Sequence, residues 1–247
     1  MTQKRALITG GSRGIGAAIA ERLAREGFHV LIAARRFTEE VQNLINLISD
    51  NEGTAEFVEL DVLDEKSVQN IAHKIGTDRL DILVNNAGVL KDDLLVSLDS
   101  QDWERVLETN VWGSLRVYDH VRPALNKAKK PVVVTLGSVS GVRPRPGQGA
   151  YAVSKAMLIA WTQASAQCSD NNTNYFCISP GPVATDMIKA APWYTDPRAF
   201  SRIPMGRFAE PTEIADVVAF MALHPAALSN GSNLVIDGGF VQTTKGD

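Results

Sequence analysis

The sequence predicts an α/β fold: a single doubly wound parallel sheet of about seven strands with helices on both faces. Three observations predict it. Short β-rich runs alternate with segments of helical apolar spacing along the whole chain, a glycine-rich turn separates the first strand from the first helix, and no repeat, low-complexity tract or linker interrupts the 247 residues. That length supports one large core, so residues 1–247 are read as one domain.

The elements follow in order. "RALIT" is a buried strand, and "GIGAAIAERLAREG" carries apolar residues at helical spacing and stops at Gly27. "HVLIAA" is a second strand and Thr38–Asn51 a second helix; "AEFVEL" and "DEKSVQNIAHKIG" repeat the pair. "LDILVNNAG" is a fourth strand running into a turn, followed by a long fourth helix. "PVVVTLGS" and "NYFCIS" are the next two strands, with a helix containing "YAVSK" between them. "PTEIADVVAFMAL" is the last helix and "SNLVID" the last strand, closed by a Gly-Gly turn. Strands separated by helices require right-handed crossovers and hence a parallel sheet. The connection Pro180–Pro204 is much longer than the rest, and its Trp193, Tyr194 and Phe200 suit a substrate lid at about 183–204.

Composition narrows the function. With 45% hydrophobic and 21% charged residues the chain is of the globular class, and 25 Lys+Arg against 28 Asp+Glu offer no footprint for nucleic acid or an anionic membrane. Cys168 and Cys177 form no metal spacing or disulfide framework, and the four histidines are scattered, so no metal is expected. The N-terminus lacks the pattern of a secretory signal and no apolar run spans a bilayer, so a cytoplasmic location is expected.

"TGGSRGIG" places Gly10, Ser12, Arg13, Gly14, Ile15 and Gly16 between strand and helix. Glycines there let the backbone approach a pyrophosphate, which sits on the helix N-terminus. The spacing departs from the strict G-x-G-x-x-G, and alone the motif also reads as a tight turn. The second strand ends "AARRF", where a site for a free ribose 2′-hydroxyl wants an acid. Arg35 and Arg36, with Arg13, instead suit a 2′-phosphate, which points to NADP(H). Asp61 and Val62 at the end of the third strand, and Asn86, Ala87 and Gly88 at the end of the fourth, stand where an open parallel sheet binds its ligand. Each also reads as turn chemistry.

Tyr151 and Lys155 lie four residues apart, on one face of a helix. A phenol near pKa ~10 is a poor acid catalyst at neutral pH until a neighbouring cation lowers that value. Such a pair also occurs as packing plus a surface lysine, Ser138 also reads as a cap, and Asn110 as a helix residue bonding backbone.

The conjunction decides. Gly10-x-x-x-Gly14-x-Gly16, Asn85-Asn86-Ala87-Gly88, Asn110, Ser138, Tyr151-x-x-x-Lys155 and Pro180-Gly181 stand in the order seen in short-chain dehydrogenases/reductases, and the resemblance spans nearly the whole chain to "VIDGGF". Within that superfamily the chain is most similar to the 3-oxoacyl-(acyl-carrier-protein) reductases, through "TGGSRGIG", "GSVSG" with Gln148 ahead of Tyr151, and "IPMGRFAEPTEIA". The resemblance implies a Rossmann-like fold and an NADPH-dependent ketoreductase acting on a 3-oxoacyl thioester. It implies Tyr151 as general acid, Lys155 tuning it and holding the nicotinamide ribose, and Ser138 holding the carbonyl oxygen. Asn110 would bind a water linking Lys155 to solvent, and Pro180, Gly181, Val183 and Thr185 would hold the carboxamide end of the nicotinamide. Ser138, Gln148 and Tyr151 would form the substrate site, and a homotetramer is expected.

Which ketone is reduced stays open. Lys127, Lys129 and Lys130, and Arg143 and Arg145 beyond Ser138, offer positive charge for an acidic carrier protein, whereas "QCSDNNT" after the Tyr151 helix offers none where the family carries a second basic site. A small ketone, sugar or secondary alcohol as substrate, or a non-enzymatic NADPH-binding scaffold, remain alternatives.

Overall fold

The computed structural model describes residues 3–76, 78–91, 93, 97–168, 172–189, 194 and 200–242. Seven strands, β1 (Arg5–Thr9), β2 (His29–Ala34), β3 (Thr54–Glu59), β4 (Ile82–Asn85), β5 (Val132–Leu136), β6 (Asn174–Pro180) and β7 (Asn233–Ile236), form one sheet in the order β3-β2-β1-β4-β5-β6-β7. Every pairing is parallel; Ile8 stands beside Ile32 of β2 and Val84 of β4. The order reverses between β1 and β4, which opens a crevice at their C-terminal ends.

The near-continuous apolar strands follow from burial on both faces. In β1, Ala6 and Ile8 join one core with Ile19 and Leu23 of α1 (Gly14–Arg25), Val41 and Ile48 of α2 (Glu39–Asp50), and Val218 of the last helix. Leu7 points the other way, into a core with Val68 and Ile71 of α3 (Glu65–Ile75). Local chemistry sets the ends: Asp64 caps α3 by accepting from the Lys66 N–H, and Gly76 stops it at φ 57°.

The expected fourth helix is three segments end to end: α4 (Ser100–Leu107), a π turn over Glu108–Trp112, and α5 (Gly113–Leu125). Next come α6 (Val139–Val142), α7 (Gly149–Cys168), α8 (Asp186–Lys189) and α9 (Pro211–Leu223). The short helices α6 and α8 carry too little periodicity to be read from sequence. α9 begins with proline in its first turn and a capping box between Glu210 and Glu213, and the Arg207 guanidinium holds the Glu213 carboxyl down at about 2. Among the described residues no helix is long and apolar enough to cross a membrane.

The expected lid is described only in part. Tyr194 and Phe200 pack on the buried Phe208, with ring centroids 5.4 and 4.6 Å away, while Trp193 lies outside the described residues.

Candidate active site

A cavity of about 470 Å³ occupies the crevice at the strand C-termini. At one end it is walled by the glycine turn, where Gly10 and Gly14 sit at φ 63° and 56°, a backbone that side chains resist. Gly16 lies behind the turn and does not line the cavity. A Cβ on it would come within 2.3 Å of the Gly10 carbonyl, so this glycine lets α1 start directly under the loop. Asn86 fastens the same loop to β4, its Nδ2 donating to the carbonyls of Thr9 (2.9 Å) and Gly10 (3.0 Å).

Thr9 is a hub that the sequence did not single out. Its Oγ1 accepts from the N–H groups of Asn86 and Ala87, each at 3.0 Å. A buried threonine ending a strand carries no distinctive signal in sequence.

Ser12, Arg13, Ile15, Arg35, Asp61, Val62, Ala87, Gly88, Pro180, Gly181, Val183 and Thr185 all line the cavity, as the sequence reading expects. Arg36 does not; it lines an adjoining hollow that shares Arg13 and Arg35. Neither Arg35 nor Arg36 has a hydrogen-bond or ion-pair partner among the described residues. Asp61 Oδ1 accepts from the Leu63 N–H at 3.0 Å, and Oδ2 has no partner among the described residues. Cationic forks at the end of β2, a carboxylate oxygen at β3 and a glycine cradle fit a dinucleotide bearing a 2′-phosphate.

The other end holds the reactive groups. Ser138, Gln148, Tyr151 and Lys155 line the same cavity. α7 places Lys155 one turn beyond Tyr151, with its Nζ 5.6 Å from the centre of the Tyr151 ring. The ammonium donates to the Leu136 carbonyl at 2.6 Å, and Lys155 as a whole is 6% exposed. Burial pushes its pKa down to about 8, since the charged form loses hydration. Gly141 makes this packing possible: a Cβ there would meet the Lys155 carbonyl carbon and the Ala156 nitrogen at 2.7 Å.

Ser138 is both a cap and a wall residue. Its Oγ accepts from the Ser140 N–H at 3.1 Å to start α6, which leaves its own hydrogen available to an oxygen in the cavity. Gln148 has a buried Oε1 without a partner among the described residues.

Asn110 is fully buried at the centre of the π turn. Its Oδ1 accepts from the Val89 N–H at 2.8 Å, and its Nδ2 donates to the Val89 carbonyl and to Ser154 Oγ, both at 3.0 Å. The side chain is thus a clamp on the segment after Gly88, and the Asn110 backbone carbonyl accepts from Ser114 Oγ at 2.8 Å. Extra residues in a helix often mark functional sites, and here the widened turn aims the amide at that segment. Ser154, whose Oγ donates to the Tyr151 carbonyl at 2.7 Å, was legible only as a small residue between tyrosine and lysine.

Lys127, Lys129 and Lys130 do not flank this cavity. They precede β5, and the cavity lies past the other end of that five-residue strand, about 16 Å along it. Arg143 and Arg145 do line it.

Comparison with known proteins agrees with this geometry. Residues 10–241 match a family model described as enoyl-(acyl carrier protein) reductase. The chain is 36% identical over 241 residues to the 3-oxoacyl-(acyl-carrier-protein) reductase FabG of Thermotoga maritima, covering 95% of this chain and 96% of that one. It is also 36% identical over 242 residues to FabG of Escherichia coli, covering 96% of each. Among solved structures, a dehydrogenase/reductase from Sinorhizobium meliloti superposes with a TM-score of 0.89 at 31% identity, over 97% of this chain and 96% of that one. A short-chain dehydrogenase/reductase variant from Serratia marcescens gives 0.88 at 30% identity, over 96% and 98%. With its parallel sheet, its glycine cradle and its Tyr151–Lys155 pair, the chain belongs to the short-chain dehydrogenase/reductase family and is an oxidoreductase of the ketone–alcohol couple.

Proposed function

We propose that the chain is an NADPH-dependent ketoreductase that converts a 3-oxoacyl thioester, carried by an acyl carrier protein, into the 3-hydroxyacyl product, in fatty-acid or polyketide-like synthesis. The observation that carries the reading is the buried Lys155 ammonium beside the Tyr151 ring, in one cavity with Ser138. The similarity to 3-oxoacyl-(acyl-carrier-protein) reductases over nearly the whole chain favours the thioester among ketones.

The cofactor is NADP(H). Gly10, Ser12, Gly14 and Ile15 would hold the pyrophosphate, Arg13 and Arg35 the 2′-phosphate, and Asp61 and Val62 the adenine. Pro180, Gly181, Val183 and Thr185 line the cavity and would wall the nicotinamide end. When bound, it supplies the hydride that reaches the carbonyl carbon. Ser138 donates a hydrogen bond to the carbonyl oxygen and stabilises the charge developing there. Tyr151 gives its phenolic proton to that oxygen, and the Lys155 charge stabilises the phenolate left behind. Asn110 fixes the backbone after Gly88 against Lys155, so the pair keeps its geometry during turnover.

Exposed Trp112, Val153 and Met157 lie on α4–α5 and α7, and exposed Phe220 and Val235 on α9 and β7. These separate apolar faces suit the pairings of a homotetramer, and a cytoplasmic location suits the free thiols of Cys168 and Cys177.

Replacing Arg13 and Arg35 by Ala tests the cofactor. Each lost charge-assisted bond is worth about 1.5–3 kcal/mol, roughly tenfold or more in affinity. The ratio of kcat/KM for NADPH over NADH should therefore collapse; an unchanged ratio refutes the assignment. The substrate is tested by NADPH oxidation with acetoacetyl thioesters, carrier-bound and free, against small ketones and sugars. The carrier-linked thioester should give the highest kcat/KM. A sugar or simple ketone that outcompetes it would overturn the thioester reading.

A further inference from the structure

Arg145 stands in the loop between α6 and α7, between Ser138 and Tyr151 in sequence, and lines the reactive end of the cavity. Its guanidinium stacks on the Phe240 ring, 3.7 Å from the centroid, and Phe240 lines the same cavity. It has no hydrogen-bond or ion-pair partner among the described residues. Two further guanidinia stand near it: partial burial, then Arg202 and Arg143, push its pKa below the ordinary arginine value. Arg143 is itself held in place, its Nη1 donating to the Val241 carbonyl at 2.8 Å.

A stacked, partly desolvated guanidinium with two further guanidinia near it, and no hydrogen-bond or ion-pair partner of its own among the described residues, favours an anion at its open edge. The stacking fixes the plane of the fork and leaves its edge donors for an oxyanion, the arrangement that suits arginine to carboxylate and phosphate. This cluster is separate from the one assigned to the cofactor's 2′-phosphate. Arg35 follows β2, whereas Arg145 follows β5, three strands away in the sheet and about 14 Å across it.

We propose that Arg145, with Arg143 and Arg202 beside it, forms an anion subsite at the substrate mouth that takes an oxyanion carried by the ketone substrate away from its reacting carbonyl. This rests on the ketoreductase reading and deepens it: the substrate is an anionic ketone. The oxyanion is either the phosphate of a pantetheine arm or a carboxylate on the acyl chain, and both present a pair of charged acceptor oxygens to the fork.

Binding separates this from turnover. Calorimetry is run on the full chain saturated with NADP⁺, so that the cofactor's own phosphate sites are filled, using pantetheine 4′-phosphate, pantetheine, and 5-oxohexanoate with its methyl ester as probes. At low salt the wild type should bind one or both anionic probes at least tenfold more tightly than their neutral counterparts. Arg145→Met should erase that difference, and Arg145→Lys, which keeps the charge without the fork, should restore part of it. NADP⁺ affinity and the thermal midpoint report whether each variant is folded. Preference for the phosphate assigns the pantetheine arm, and preference for the keto acid assigns the acyl carboxylate. Equal binding of charged and neutral probes, or an anion preference that survives in folded Arg145→Met, overturns the subsite. If the anion preference holds but no ketone is reduced, the ketoreductase reading fails while the subsite stands.

Discussion

Tyr151→Phe is expected to lower kcat for ketone reduction by about 10²–10⁴-fold, the span of a general acid's contribution, while the Kd for NADPH stays within about threefold. The substitution removes one oxygen and leaves the ring. Two bonds of this turn of α7 do not involve the phenol oxygen and are kept: Ser154 Oγ donates to the Tyr151 carbonyl, and Lys155 Nζ to the Leu136 carbonyl. The cradle at Gly10 and Gly14 runs from the end of β1 into the start of α1, remote from the phenol in sequence. What is lost is a proton donor at the oxygen that becomes charged. The check is steady-state turnover beside a fluorescence titration of NADPH. A kcat within threefold of wild type would remove Tyr151 from the chemistry. A parallel collapse of NADPH binding would make it a structural residue.

The catalytic pair was legible because its meaning is carried by spacing: four residues on a helix fix one face whatever the tertiary context. The sheet was legible for a similar reason, since burial on both faces writes itself as near-continuous apolar runs such as Val132–Leu136. What could not be read depends on approach between distant segments. The Lys155 ammonium is held by a carbonyl nineteen residues earlier, on β5, and Asn110 by the backbone of Val89, in the connection after β4. No local pattern encodes either bond. Arg36 shows the limit from the other side. It shares its residue type with Arg35, yet the end of β2 turns only one of them into the cavity. The three lysines before β5 were charge read without direction: a parallel sheet puts its ligand at the strand C-termini, and these residues stand at the other end.

Lys155→Met should reduce kcat by at least about 10²-fold, because it removes the charge that stabilises the phenolate. Its signature is the dependence on pH. In the wild type the ammonium is pushed down to about 8 by burial, so it is charged below that pH and neutral above it. Ketone reduction should fall as pH rises through about 8, and the residual activity of Lys155→Met should lack that limb. Stability moves the opposite way. The unfolded chain keeps the lysine proton up to its ordinary 10.5, while the folded, cofactor-free protein releases it near 8. Between those values the unfolded state binds more protons, so folding becomes more favourable as pH increases. Relative to Lys155→Met, the wild type should therefore gain about 3 kcal/mol across that window, at ~1.4 kcal/mol per pH unit of displacement. Denaturant titrations of both proteins at intervals from pH 7 to 10.5 measure the difference directly. A flat difference would mean that the ammonium is as well solvated folded as unfolded, and the buried cation on which the phenol depends would be lost from the mechanism.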